Sequence, residues 1–115
     1  MIDEEKMIYN EAKKQSEDPV VFLKNRKAGA AESAKKAKEK GGDALLSYYH
    51  FAAKDKPYAE IMRKLQEAGM NETIQLCKEK YENLISQVDL DMNQKKYQEI
   101  VGEIEVYGEC YIKFK

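Results

Sequence analysis

Tyr58-Ala-Glu-Ile-Met-Arg-Lys-Leu-Gln-Glu-Ala-Gly-Met-Asn-Glu-Thr-Ile-Gln-Leu-Cys-Lys-Glu-Lys-Tyr-Glu-Asn-Leu-Ile-Ser-Gln-Val88 reads as two amphipathic helices joined by a tight turn. In the first half Tyr58, Ile61, Met62, Leu65 and Ala68 recur at three- and four-residue steps. In the second half Ile74, Cys77, Tyr81, Leu84 and Val88 do the same, with Ile85 beside them. This spacing gathers each set on one face of a helix with 3.6 residues per turn. Between them, Ala68-Gly69-Met70-Asn71 supplies a glycine that can end the first helix in a left-handed conformation and an asparagine that can cap the second. A connection this short makes the helices antiparallel neighbours. The predicted fold class is therefore mainly α, with the rest of the chain packed on this hairpin.

Upstream, Ser16-Glu17-Asp18-Pro19 is a helix start. Asp18 is suited to the N-cap, and Pro19 to the first helical position, where its missing N–H costs nothing. The helix should run from Pro19 to about Lys40. Its front end carries Val20, Val21, Phe22 and Leu23, and its back half Ala28, Gly29, Ala30, Ala31, Ala34 and Ala37. Side chains that small let another helix approach closely. Gly29 is a candidate kink. Gly41-Gly42-Asp43 ends this helix and caps the next. That next segment, Ala44 to Lys54, is the most apolar of the chain, with Leu45, Leu46, Tyr48, Tyr49, Phe51, Ala52 and Ala53 around most of its circumference. The pattern makes it a candidate central helix. Asp55-Lys56-Pro57 then breaks the chain and restarts it. At the other end, residues 3–15 carry a thin apolar stripe of Met7, Ile8 and Ala12, which predicts a peripheral N-terminal helix within 1–17.

Downstream of Val88, Asp89 to Asn93 is polar and predicts a loop. Two templates fit residues 103–115. As helix, Tyr97, Ile100, Ile104, Tyr107, Tyr111 and Phe114 fall on one stripe, but Gly102 and Gly108 together cost about 2 kcal/mol of helix propensity. As strand, Ile104, Val106, Cys110, Ile112 and Phe114 alternate with Glu103, Glu105, Tyr111 and Lys113. A loop at Tyr107-Gly108-Glu109 would then set Glu103 opposite Lys113 in a β-hairpin. The β-rich composition favours this hairpin reading. The architecture expected is a single domain over 1–115. It is a small antiparallel helical bundle of about five helices, closed by a C-terminal β-hairpin or, in the alternative, by a further helix.

Length and composition agree. The chain has 115 residues, 43% hydrophobic and 36% charged, with Gly 6, Pro 2 and no Trp. That is enough apolar material for a core, and too few turn residues for a β-sandwich. The net charge of −1 exerts no global pull toward nucleic acid or anionic membrane. The two cysteines, Cys77 and Cys110, are too few for a disulfide scaffold and read as free thiols of a reducing compartment. No apolar run approaches the roughly 18 residues of a membrane helix, and Met1-Ile-Asp-Glu-Glu5 has no secretory h-region. A cytoplasmic protein that does not engage membranes is the expectation.

Chemistry is sparse. The one histidine, His50, has Ser47 three residues before it, so the Glu-x-x-His pair of di-iron bundles is absent. It reads as a half-buried histidine on a crowded helix. No short Cys/His ligand spacing, nucleophile elbow, phosphate-binding loop or dinucleotide fingerprint occurs. The sequence assigns no catalytic, metal-binding or cofactor-binding residue, and no cofactor is expected. Two features remain as candidate partner-binding residues. Residues 24–40 carry a local charge of +5, from Lys24, Arg26, Lys27, Lys35, Lys36, Lys38 and Lys40 against Glu32 and Glu39. Lys24, Lys27, Lys35 and Lys38 fall near one side of the helix. Tyr48 and Tyr49 are adjacent, so one of the pair points away from any single core, toward solvent or an interface. These observations favour a non-catalytic interaction protein, an adaptor, inhibitor or subunit, acting through a helix face or the tail on a protein partner or on a second copy of itself in a homodimer. The alternative is a nucleic-acid-associated protein that uses the lysines of 24–40.

Overall fold

The computed structural model describes residues 18–115, so the N-terminal helix expected within 1–17 lies outside the described residues. Five helices follow one another: α1 (Pro19–Lys40), α2 (Ala44–Ala52), α3 (Asp55–Ala68), α4 (Met70–Gln87) and α5 (Gln94–Phe114). No strand occurs among the described residues.

The start of α1 is built as its sequence dictates. The Asp18 carboxylate accepts from the backbone N–H of Val20 at 2.8 Å and of Val21 at 3.4 Å, and Pro19 occupies the first turn. These bonds satisfy donors that a helix start otherwise leaves unpaired. Gly41, at φ 67°, ends the helix. Ala30, Ala34 and Ala37 are buried, and α2 packs along this small-residue strip. Gly29 faces open space within an unbroken helix, so it produces no break.

The hairpin of α3 and α4 forms as read, with one change at its turn. A single residue, Gly69, separates the helices and serves both as C-cap of α3 and N-cap of α4. Its φ of 86° lies in the left-handed region that glycine tolerates. Asn71 lies inside α4 and caps nothing. Thr73 completes the turn: buried, its hydroxyl donates to the Gly69 carbonyl at 2.8 Å. Lys80 Nζ lies 3.9 Å from Glu60 Oε1, so the helices run back beside each other on the two sides of the turn.

The core forms where the front of α1, the start of α3, the middle of α4 and the second half of α5 converge. Leu23, Ile61, Cys77, Val106 and Cys110 are fully buried there, with Phe22, Tyr58 and Tyr107 around them. The Phe22 and Phe114 rings meet edge to face at 5.9 Å, closing the end of the bundle. Tyr107 donates to Glu60 Oε1 at 3.0 Å. Burial and the Glu60 charge both push the Tyr107 phenol up, and it stays a neutral donor. The hairpin's apolar stripe is only partly consumed by this core. Leu84 is half-buried, and Tyr81, Ile85 and Val88 are exposed.

Two expectations about whole elements are overturned. The tail is not a β-hairpin: Glu103 to Phe114 is the continuous second half of α5. The glycines that argued against a helix are the residues that let it pack. A Cβ at Gly102 would collide with the His50 carbonyl of α2, and one at Gly108 would stand 3.0 Å from the Tyr81 ring of α4. Their propensity cost is therefore offset by close helix–helix approach. Asn93 starts the helix by accepting from the Lys96 N–H at 2.8 Å. The segment Ala44–Lys54 is also not a central helix. The α-helix stops at Ala52, and none of its residues is buried. It lies across α1 and α5 at the edge of the bundle. Asp43 makes no side-chain cap to it.

Candidate functional site

The edge position of α2 creates a groove. Tyr48, Tyr49, Ala52 and Ala53 form one wall, and Asn93, Lys95, Lys96, Glu99, Ile100 and Glu103 of α5 with its cap form the other. Asp55, Lys56 and Gln87 close the groove, whose volume is about 900 Å³. The walls follow from local rules. Tyr48 and Tyr49 are consecutive, and their rings meet at 5.6 Å with a 59° tilt, so both reach the same opening. Lys95 places its ammonium 5.2 Å from the Tyr49 ring centre, a cation–π contact from across the groove. Glu99, Ile100 and Glu103 follow at three- and four-residue steps along one side of α5.

The groove carries both signs of charge, with Lys56, Lys95 and Lys96 against Asp55, Glu99 and Glu103. Burial first, and then the neighbouring Glu99 charge, push the Glu103 carboxyl above the usual range, against the pull of Lys80 and Lys56. A carboxyl raised in this way contributes stability below its unfolded value of about 4.3 and loses it as pH rises through the folded value. Glu103→Gln should therefore stabilise the chain at neutral pH, by less than about 1 kcal/mol, and have little effect near pH ~3. Urea denaturation at both pH values measures the difference, and equal effects at both would contradict the assignment.

His50 sits just outside this groove, among different partners. Its Nε2 lies 2.7 Å from Glu105 Oε2, and Lys54 Nζ lies 2.8 Å from the same oxygen. Burial pushes the Glu105 carboxyl up, but the hydrogen bond and charge of Lys54, with His50 beside them, outweigh it and hold the carboxyl below the usual range. The His50 ring is also set edge-on to Phe51 at 5.2 Å. This cluster ties the end of α2 to α5. Neither His50 nor Glu105 lines the groove between α2 and α5.

The basic stripe of α1 is divided. Lys27 pairs with Asp55 at 2.8 Å, and Lys38 stands 5.7 Å over the Tyr48 ring, so both lie along seams with neighbouring helices. Lys24 and Lys35 are exposed. Arg26 pairs with Glu109 at 2.7 Å. Of the six residues singled out from the sequence, the structure brings Tyr48 and Tyr49 into one site, places Lys38 against it and Lys27 on its Asp55, and leaves Lys24 and Lys35 elsewhere.

Reading the sequence missed the opposite wall, Lys95, Lys96, Glu99 and Glu103. The available signal was Asn93, an N-cap immediately before the stripe of Tyr97 and Ile100. It fixes a helix start and hence the face on which 95, 96, 99 and 103 fall. Among the described residues no group of three or more His, Cys, Asp or Glu side chains converges to hold a metal ion, and no helix is long and apolar enough to cross a membrane. No family model, curated protein or solved structure matches the chain.

Proposed function

We propose that this chain is a non-catalytic interaction protein that binds a protein partner through the outer face of α2 and the groove beside it. One observation carries the reading: the most apolar segment of the chain buries none of its residues in the fold. Leu45 is 39% exposed and Leu46 36%, and Tyr48 and Tyr49 sit next to them on the groove wall. Completing the burial of two such leucines is worth on the order of 1 kcal/mol each. A cluster of this kind, rimmed by charge, is what a docking face requires. The lining of the groove supports the same conclusion. Its lining lysines and carboxylates are matched in number, which suits a polypeptide surface better than a ligand of one charge. Tyrosines supply contact area at low entropic cost.

The test is lysine-directed cross-linking in an extract of the source cells, comparing the natural chain with the double variant Leu45→Glu, Leu46→Glu. Lys56, Lys95 and Lys96 should cross-link to a second polypeptide. Those links should fall at least tenfold in the double variant, whose circular dichroism should be unchanged because both sites are exposed. Links confined to a single chain, or equal links from the variant, would refute the proposal. Light scattering on the pure chain then decides whether the second polypeptide is another copy.

A further inference from the structure

The two cysteines are far apart in sequence and meet in the core. Cys77 lies in the middle of α4 and Cys110 near the end of α5, and each is 0% exposed. Both thiols lie in the same buried cluster, and each is the leading influence on the other's ionisation. The register of the helices explains the meeting. Gly108 presents no side chain, so the Tyr81 ring lies against it and draws α4 onto α5. Cys77 stands one turn before Tyr81, and Cys110 stands two residues after Gly108, on the buried side. Both belong to the cluster that includes Ile61, Val106 and Tyr107. Nothing else in the site or the proposed docking face uses them.

We infer that Cys77 and Cys110 form a reversible intramolecular disulfide, a modification site that locks α4 to α5 when the chain meets a small peroxide. The neighbouring Cys110 thiol holds the Cys77 thiol below its ordinary range, and the neighbouring Cys77 thiol together with burial pushes Cys110 well above it. Cys77 is thus the sulfur that ionises first and attacks. Its thiolate takes one oxygen of the peroxide, the O–O bond breaks, and the departing hydroxide becomes water on protonation. Cys77 is left as a sulfenic acid. The Cys110 sulfur then attacks the Cys77 sulfur, an S–S bond forms, and the expelled hydroxide leaves as water with the Cys110 proton. Two thiols lose two electrons and two protons, and one peroxide becomes two waters. A dithiol reductant reverses the bridge by exchange. Both thiols are fully buried, so the peroxide reaches the pair through local opening of the packed helices.

The full chain, reduced and then treated with hydrogen peroxide, is quenched, unfolded and alkylated for intact-mass analysis. The expected product has lost two hydrogens, has no alkylated cysteine, runs as a monomer without reductant, and regains both thiols with dithiothreitol. Closing the loop from 77 to 110 should also raise the melting midpoint by about 5–10 °C. Cys77→Ser and Cys110→Ser should each abolish the peroxide-induced rise. The wild-type mass result stands on its own if either variant fails to fold. Sulfinic or sulfonic acid at one cysteine, a cross-linked dimer, or a bridge that lowers the midpoint would overturn the inference. So would thiols that stay reduced at a peroxide level that bridges the urea-unfolded chain.

Discussion

Gly102→Ala should destabilise the chain by about 3 kcal/mol, although alanine is the better helix former by about 1 kcal/mol. The added Cβ would collide with the carbonyl oxygen of His50, stand 3.2 Å from its carbonyl carbon, and meet the Ala53 Cβ at 3.5 Å. The obstacle is the backbone of α2, which no rotamer change can move aside. Relief requires α2 to shift off α5 as a unit. That shift would lengthen the His50–Glu105 and Lys54–Glu105 bonds and part the walls of the groove. The loss should appear as a lower urea midpoint, accompanied by changed tyrosine side-chain resonances from Tyr48 and Tyr49. Gly29→Ala is the internal control. A Cβ there meets nothing within 4 Å, so helix propensity acts alone and the chain should gain about 0.5–1 kcal/mol. Gly108→Ala lies between, because its obstacle is the ring of an exposed tyrosine that can give. If Gly102→Ala proves neutral or stabilising, α2 does not rest on α5 as described, and the groove loses its wall.

The same glycines mark where the sequence stops being legible. Asp18-Pro19, Gly41 and Gly69 act locally: each sets the dihedral or hydrogen bond that starts or ends its own helix, so α1, α3 and α4 could be drawn from sequence alone. Gly102 and Gly108 act across space. What they accommodate lies some fifty residues away in one case and twenty-seven in the other, and nothing in residues 103–115 announces it. Scored by propensity they argue for a hairpin, and scored by packing they require a helix. The error at α2 has the opposite origin. A run from Ala44 to Phe51 that is apolar all round implies burial only if other elements surround it, and here α1 and α5 cover one side. The candidate site inherited both errors. Tyr48 and Tyr49 could be found because two adjacent tyrosines cannot share one core. Lys95, Lys96 and Glu99 lay within reach of the Asn93 cap and the helical spacing of Tyr97 and Ile100, but Glu103 joins their face only if α5 is a single helix.

The remaining large effect concerns the hairpin and divides its stripe into core and surface. Ile61→Ala should cost about 3–5 kcal/mol. Ile61 is 0% exposed and belongs to the cluster where α1, α3, α4 and α5 meet, so the surroundings can collapse only at the expense of four helices. Truncation would leave a cavity beside the paired Cys77 and Cys110 thiols as well as removing transfer energy. Leu84→Ala should cost only about 1–2 kcal/mol, although Leu84 lies on the same stripe by sequence. Leu84 is half-buried, with Ile85 and Val88 exposed beside it, and water already reaches part of its surface. Urea unfolding of both variants, with equal slopes to confirm two-state behaviour, gives the comparison directly. Similar losses at the two sites would mean that the far end of α4 is covered in solution, and since none of the described helices buries it, the cover would have to come from outside the described residues. A loss at Ile61 below about 1 kcal/mol would mean that the convergence of four helices is not the core, and the placement of the groove at its edge would fall with it.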